Sequence, residues 1–394
     1  MKHKIFSKIK DVAFSEGKIS YLFLFLIFFV IILFFLAPEI FSNKISNDIK
    51  NVIVKEEEKT ENTPIILSLD KDAYDKKLNE LANNPPDPII YETVKTTETD
   101  VNGKTITKTK KVPLDSQPVA KHLWPVKTVY PNTGALLPFN RIIAYYGNLY
   151  STKMGVLGQY EETEMLARLQ AEVKKWELAD PSTPVIPALH YIAVVAQGSA
   201  GKDGKYRARM PDSEIDKVLK IAEKINAVVF LDIQVGFSTI QTELPLLEKY
   251  LKLPQVHLGM DPEFSMKTGI RPGKIVGTYD ATDINFATEY LAKIVKENNL
   301  PPKILVVHRY TQKMVTNYKQ IKPSSEVQIV MHMDGWGGKA KKIGTYKNFI
   351  YPEPVQFTGF KLFYKNDVLE AGTTLFTPEE LLKLNPIPSY IQYQ

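Results

Sequence analysis

The chain has 394 residues, of which 44% are hydrophobic and 24% are charged, and its net charge is +6. This composition is ordinary for a globular protein, and the small basic excess comes without the basic helix or aromatic–basic repeat of a nucleic-acid-binding protein. The chain contains no cysteine, which excludes disulfides, thiolate metal ligands and a cysteine nucleophile. We therefore expect a globular protein without a nucleic-acid partner.

A long apolar segment without charge lies near the N-terminus, from Ile19 to Ala37. Its length is about what an α-helix needs to cross ~30 Å of hydrocarbon, and it exceeds the apolar region of a cleaved signal peptide. Five lysines precede it, and no small-residue cleavage site follows it. By the positive-inside rule, this pattern predicts a cytoplasmic basic tail over residues 1–18 and a single-pass membrane anchor over 19–37. Everything that follows is predicted to be extracytoplasmic.

Residues 38–135 are predicted to form a stalk with an accessory hairpin. Within them, the segment from Asp70 to Leu81 has the pattern of a short helix, which the proline-rich run after it would end. From Ile89 to Lys111, threonine alternates with charged residues or valine around Asn102-Gly103. This dipeptide is typical of a tight turn, so the segment predicts a β-hairpin.

From Arg141 onward, short apolar segments rich in strand-forming residues alternate with amphipathic helical patterns. The eight segments are RIIAYYG (141–147), VIPALHYIAVV (185–195), AVVFLDIQVG (227–236), VHLGMDPEF (256–264), KIVGTYD (274–280), KILVVHRY (303–310), VQIVMHMDG (327–335) and GFKLFY (359–364). Apolar strands that alternate with helices predict a parallel sheet, and eight units match the size of a (β/α)8 TIM-type barrel of the α/β class. We assign residues 136–394 to this barrel. A doubly wound open sheet is the alternative, but no G-x-G-x-x-G fingerprint follows the first segment.

Polar side chains occupy one of the two alternating phases of several predicted strands, while the other phase stays apolar. In a barrel, one phase points inward and the other faces the helices. Because active sites of this fold form at the C-terminal strand ends, we expect the inward polar side chains to meet at one mouth. They are His190, Asp232, Gln234, Asp261, Glu263, His308, His332, Asp334 and Lys361. His257 lies deeper and is predicted to be structural, whereas Asp280 and Asp283 are predicted to cap a helix.

Aromatic residues accompany the polar ones at the predicted rim, among them Tyr310 and Trp336. Trp336 lies in the run DGWGG, whose glycines would let the loop approach a ligand closely. Of the neighbours Tyr145 and Tyr146, one must face outward because side chains alternate along a strand. Flat aromatic faces beside polar groups suit sugar rings, so we predict a carbohydrate as the ligand.

Glycoside hydrolysis is the predicted reaction, and it needs two carboxyl groups. One protonates the leaving oxygen, and the other attacks the anomeric carbon or activates water. Glu263 is the predicted acid because the neighbouring Asp261 would raise its pKa, and Asp232 or Asp334 is the predicted second group. The predicted substrate-binding residues are His190, Gln234, His308, His332, Trp336, Lys361 and Tyr310. Neither a metal nor another cofactor is predicted.

Two runs carry a resemblance to a known family. IAYYG in the first strand and GMDPEF at the end of the fourth resemble the barrel glycoside hydrolases of the chitinase-like kind, which carry D-x-x-D-x-D-x-E at that place. Asp261 and Glu263 match this motif, whereas Val256 and Gly259 depart from it, which puts a substrate-assisted mechanism in doubt. The pattern over 141–394 is also similar to uncharacterised barrel domains of bacterial cell-wall-associated secreted proteins. This similarity implies a location near the cell wall more than it implies a reaction. Together with the predicted anchor, it leads us to predict a barrel that acts on, or holds, a carbohydrate of the cell envelope.

Two other functions remain open. A metal-dependent hydrolase could use nitrogen and oxygen ligands at the mouth, although neither H-x-H after the first strand nor H-E-x-x-H is present. Its candidate ligands are His190, Asp232, Asp261, His308, His332 and Asp334. A non-catalytic module could instead hold a wall glycan at the same mouth. No Walker or Rossmann sequence indicates a nucleotide cofactor.

Overall fold

The computed structural model describes residues 68–116 and 121–394. The predicted cytoplasmic tail, the predicted anchor at 19–37 and the first part of the predicted stalk lie outside the described residues. Within the two described ranges, no helix combines the length and the apolar character that crossing a membrane requires. The anchor and the division into stalk and barrel therefore stay predictions.

The first described elements are the short helix and the hairpin that the sequence predicts. They are α1 (Lys71–Ala82) and the antiparallel strands β1 (Tyr91–Thr99) and β2 (Thr105–Pro113). The helix begins where the Asp70 carboxylate accepts a hydrogen bond from the backbone N–H of Ala73 at 2.9 Å. It ends at Asn83, which adopts a left-handed backbone conformation. Gly103 supplies the positive φ of 80° that the hairpin turn needs.

Eight parallel strands close into a barrel. They are β3 (Arg141–Gly147), β4 (Val185–Ala196), β6 (Val228–Ile233), β7 (Val256–Met260), β9 (Lys303–Arg309), β11 (Val327–Met333), β12 (Phe357–Leu362) and β13 (Tyr390–Tyr393). Each pairs with the next in parallel, and β13 pairs with β3 to complete the ring. The three remaining strands are β5 (Arg207–Arg209), which is antiparallel to β4, and the pair β8 (Tyr279–Asp280) and β10 (Val315–Thr316) outside the ring. The predicted closed α/β barrel is confirmed, and the open-sheet alternative is wrong.

Most strands are followed by helices that pack on the outside of the ring. The α-helices after α1 are α2 (Val156–Gln159), α3 (Glu162–Ala179), α4 (Asp212–Glu223), α5 (Ile240–Glu243), α6 (Glu248–Leu251), α7 (Ala281–Glu297), α8 (Lys339–Thr345) and α9 (Pro378–Leu381). Asp280 and Asp283 form a capping box at the start of α7, as predicted. Within residues 121–394, the connection from β9 to β11 differs, because it contains only 3₁₀ turns and β10.

One predicted strand is wrong, and the structure replaces it with another. The segment 274–280 is a loop in which only Tyr279–Asp280 is extended. The backbone N–H of Gly277 donates to the carbonyl of Glu263 at 2.7 Å, so this segment packs on the loop after β7 and cannot enter the ring. The eighth strand is β13, a four-residue segment too short to stand out as a separate apolar run. The predicted number of strands is therefore correct, although one member differs.

The predicted inward and outward phases are confirmed along the strands. Ile142 and Ala144 of β3 pack inside the ring, whereas Ile143 and Tyr145 join the outer core under the helices. The N-terminal end of the ring is covered by Tyr74 of α1 and by Leu137, which pack on the inner apolar cluster. This cover leaves the opposite end of the barrel as the open one.

The correction to the strand assignment predicts a difference between two matched variants. Ile391 on β13 is 0% exposed, whereas Val276 in the loop is 41% exposed. We expect Ile391→Ala to lower the free energy of unfolding by about 2–5 kcal/mol, because it leaves a cavity in the outer core. Val276→Ala should change it by less than ~0.5 kcal/mol. Denaturant unfolding measures both, and equal effects would contradict the assignment.

Candidate functional site

A cavity of about 690 Å³ opens at the C-terminal ends of the barrel strands, and we call it the mouth pocket. Its polar and aromatic lining includes Tyr146, Gln234, Asp261, Glu263, Tyr310, Asp334, Trp336 and Lys361. Seven of these eight residues are predicted site residues, and Tyr146 is the inward member of the Tyr145–Tyr146 pair. Alternation along the strands is what brings them together, because each lies on the inward phase or in the loop that continues it.

Asp334 follows β11 and is the carboxylate most tightly held by cations. Its Oδ1 atom lies 3.0 Å from Nζ of Lys361 on β12, and its Oδ2 atom lies 2.7 Å from Nδ1 of His308 on β9. Although burial by itself raises the pKa of Asp334, the charge of Lys361 and the hydrogen bond with His308 outweigh it and hold the pKa well below its usual range. Asp334 is therefore ionised at neutral pH.

Asp261 and Glu263 lie on a short 3₁₀ turn directly after β7. Asp261 Oδ1 accepts a hydrogen bond from the backbone N–H of Glu263 at 3.0 Å, and its Oδ2 accepts one from Nε2 of Gln234 at 3.3 Å. Burial raises the pKa of Asp261 well above its usual range. Burial and the nearby Asp334 raise the pKa of Glu263 as well. The mouth pocket thus combines carboxyls that favour the neutral form with one that is ionised.

Asp232 is not part of the pocket wall, although it was one of the two candidates for the second carboxylate. Its side chain is 0% exposed and lies beneath Tyr146, whose hydroxyl donates to Oδ2 at 3.1 Å. The other carboxylate oxygen, Oδ1, faces His190 Nε2 at 3.5 Å and His308 Nε2 at 3.6 Å. Asp232 therefore contacts other buried side chains and does not border the mouth pocket.

The three predicted substrate-binding histidines, His190, His308 and His332, are fully buried below the pocket floor. Nδ1 of His190 lies 2.6 Å from the Tyr390 hydroxyl, and the ring of His332 packs edge-on against Tyr390. None of the three lines the mouth pocket, because each lies on its strand before the residue that reaches the mouth. The three histidines lie on the inward phase of their strands, as predicted. The prediction that they reach the mouth is wrong, because they lie deeper in the barrel.

The remaining predicted residues lie where the sequence places them. Gln234 and Lys361 line the pocket, and Tyr310 and Trp336 lie at its rim. Trp336 is 50% exposed, and Nζ of Lys341 lies 4.5 Å from the centre of its ring. Sequence reasoning missed Lys341 and Phe363, which also line the pocket. Alternation along the strand could have identified Phe363, because it lies two positions after Lys361 and therefore shares the phase of Lys361.

Two trios of side chains in the described part of the chain have metal-ligating atoms within 4.8 Å of one another. They are His190, Asp232 and His308, and Asp261, His308 and Asp334. One carboxylate oxygen of Asp261 therefore lies within 4.8 Å of one of Asp334.

Comparison with known proteins finds only structural similarities, with low sequence identity and low TM-scores. No protein-family model matches the chain, and no curated protein sequence is similar to it. Among solved structures, a cellulase is 13% identical over 64% of this chain and 75% of its own, with a TM-score of 0.35. A dihydropteroate synthase from Burkholderia cenocepacia is 9% identical over 65% of this chain and 86% of its own, with a TM-score of 0.31.

A proposed alpha-L-fucosidase from Bacteroides thetaiotaomicron is also 9% identical, over 71% of this chain and 91% of its own, with a TM-score of 0.31. These scores are too low to support an argument about function. The fold assigned above is based on the strand pairing, and the function must be argued from the mouth pocket.

Proposed function

We propose that the protein is a glycosidase-type hydrolase, with Glu263 as the general acid and Asp334 as the second carboxylate. The observation that carries this proposal is that both side chains line one pocket in different surroundings. Asp334 forms an ion pair with Lys361, whereas Glu263 has no such partner among the described residues and burial raises its pKa. Asp334 is preferred to Asp232 because Asp232 has no exposed surface from which to reach a substrate.

In this mechanism, Glu263 protonates the oxygen of the leaving sugar while Asp334 attacks the anomeric carbon or activates water. Asp261 positions the acid by accepting the hydrogen bond of the Glu263 backbone N–H. Lys361 keeps Asp334 ionised and in place. Trp336 presents a half-exposed indole face at the rim, which suits the apolar face of a sugar ring.

We further propose that the barrel is held outside the cytoplasmic membrane by residues 19–37 and acts on a carbohydrate of the cell envelope. The support for this location is the uncharged apolar sequence with lysines before it. We expect the full chain to stay with the membrane fraction after an alkaline wash, and a chain that begins at residue 41 to be released. Recovery of the full chain among the washed-off proteins would contradict the anchor.

The acid assignment predicts that Glu263→Gln removes catalysis without unfolding the barrel. Loss of a general acid lowers turnover by about 10²–10⁴-fold. The assay is sugar release from oligosaccharides and cell-envelope polysaccharides, whose leaving sugar oxygen must be protonated. Glu223→Gln is the matched control, because Glu223 is an exposed residue at the end of α4 and does not line the pocket.

Unchanged activity in Glu263→Gln would show that Glu263 is not the acid. If the wild-type protein retains a glycan on long incubation but releases no product, the non-catalytic alternative is favoured. Circular dichroism of both variants establishes that the comparison is between folded proteins.

The raised pKa of Glu263 predicts the alkaline limit of activity. Burial raises this pKa, the Asp334 charge raises it further, and Lys361, Tyr310 and His308 lower it. The acid form is required, so activity should be lost as pH rises through the Glu263 pKa. Tyr310→Phe removes the hydroxyl whose interaction with Glu263 lowers this pKa, so it should move the alkaline limit to higher pH.

The measurement is kcat/KM against pH for the wild type, Tyr310→Phe and the control Tyr318→Phe. Tyr318 lies on a 3₁₀ turn and does not line the mouth pocket. A shift of the alkaline limit to lower pH in Tyr310→Phe, or an equal shift in the control, would contradict the assignment.

A further inference from the structure

Three buried polar atoms face one another beneath the floor of the mouth pocket. They are Nε2 of His190, Oδ1 of Asp232 and Nε2 of His308, and none has a hydrogen-bond partner in the structure. Oδ1 of Asp232 is 3.5 Å from the first nitrogen and 3.6 Å from the second. We call these side chains the buried trio. Buried polar atoms are nearly always hydrogen-bonded, whereas these three are separated by ion-pair distances, which makes a bridging atom between them worth testing.

Two of the three distances within the buried trio match those between ligands of one metal ion. Two atoms that each lie about 2.0–2.1 Å from a tetrahedral Zn²⁺ are roughly 3.4 Å apart. Hydrogen-bonded nitrogen and oxygen atoms are usually about 2.7–3.2 Å apart. The observed distances of 3.5 and 3.6 Å are thus closer to the metal-bridged geometry than to the direct hydrogen bond.

The other nitrogen of each ring is already engaged. Nδ1 of His308 lies 2.7 Å from Oδ2 of Asp334, and Nδ1 of His190 lies 2.6 Å from the Tyr390 hydroxyl. Metal-ligating histidines almost always donate their second ring N–H to a carboxylate or another acceptor, which fixes the tautomer and orients the ring. Both rings therefore direct Nε2, the nitrogen whose lone pair can bind a cation, towards Asp232.

Gly259 packs closely against this point. A Cβ atom added to Gly259 would lie 2.4 Å from both Oδ1 of Asp232 and Nε2 of His190. Any side chain at position 259 would therefore collide with two atoms of the buried trio. Only glycine at this position lets Asp232 and His190 keep the arrangement in which both atoms face one point.

We propose that His190, Asp232 and His308 bind one divalent transition-metal ion of the Zn²⁺ class. Two imidazole nitrogens and one carboxylate oxygen are a suitable donor set for such an ion, with a fourth position for water. The ion would join β4, β6 and β9 inside the ring. It would also hold the His308 ring in the orientation in which Nδ1 contacts Asp334. This site does not depend on the proposed glycosidase activity.

The test uses the full chain in detergent. Metal content is measured after purification, and Zn²⁺ binding to the chelator-treated protein is then titrated by calorimetry together with the melting temperature. We expect one equivalent of metal and a rise in melting temperature on Zn²⁺ addition. Co²⁺ in place of Zn²⁺ should give the visible absorption of a tetrahedral nitrogen–oxygen site.

Asp232→Asn should weaken Zn²⁺ binding by more than about 100-fold, because it removes the only charged ligand. Gly259→Ala keeps all three ligands but places a methyl group against two of them, and it should also weaken binding. His257→Asn is the matched control, since His257 is buried in the same barrel but its Nδ1 accepts a bond from the Ile304 backbone. It should bind Zn²⁺ as the wild type does.

The measurement on the wild-type protein tests the proposed metal site even if a variant fails to fold. A protein that is metal-free when purified, binds no Zn²⁺ saturably and keeps the same melting temperature would overturn the proposal. Equal binding by wild type and Asp232→Asn would overturn it too, because the ion would then lie elsewhere. In either case the atoms of the buried trio would be bridged by something other than a metal ion.

Discussion

Closure of the parallel sheet is the constraint on which the rest of the structure depends. Because β13 pairs with β3, every strand has two neighbours, and each inward side chain faces the interior of one ring. The open end of that ring collects the residues at the C-terminal ends of the strands. The mouth pocket, the layer of histidines below it and the apolar layer at the base all follow from this arrangement.

The second constraint is electrostatic, since charges buried in a barrel are costly unless they are compensated. The carboxylates of Asp232 and Asp334 are therefore surrounded by Lys361 and imidazole nitrogens. The carboxyls of Asp261 and Glu263 have less compensation, and burial pushes both towards the neutral form. The different protonation states that a pair of catalytic carboxyls needs arise from which strand carries the lysine.

Alternation along the strands made much of this predictable from the sequence. It identified the inward phase of Asp232 and Gln234, of Asp261, and of His332, because polar residues confined to one phase of an apolar strand indicate that this phase faces a polar interior. Alternation did not predict how far below the mouth each inward side chain lies. Whether His332 or Asp334 reaches the cavity depends on how the loops fold over the strand ends, and a single sequence does not encode that in a local pattern.

Strand identity failed where the local signal was misleading. Residues 274–280 contain Ile275 and Val276, which are good strand formers, but hydrogen bonds to the loop after β7 hold the segment outside the ring. β13 was missed because it has only four residues, too few to form a recognisable apolar run. Four residues are nevertheless enough to close a ring whose other strands are already aligned. Tyr390, which supports His190, was missed with it.

The pairing of β3 with β13 joins Ile142 to Tyr390, so the contact that closes the barrel spans almost the whole fold. Closing so long a loop costs chain entropy before any burial compensates for it. Before β13 pairs with β3 and β12 during folding, both of these strands are sheet edges with unpaired backbone groups. Such edges are templates for association with other chains. Order of assembly and resistance to aggregation therefore depend on a strand of four residues.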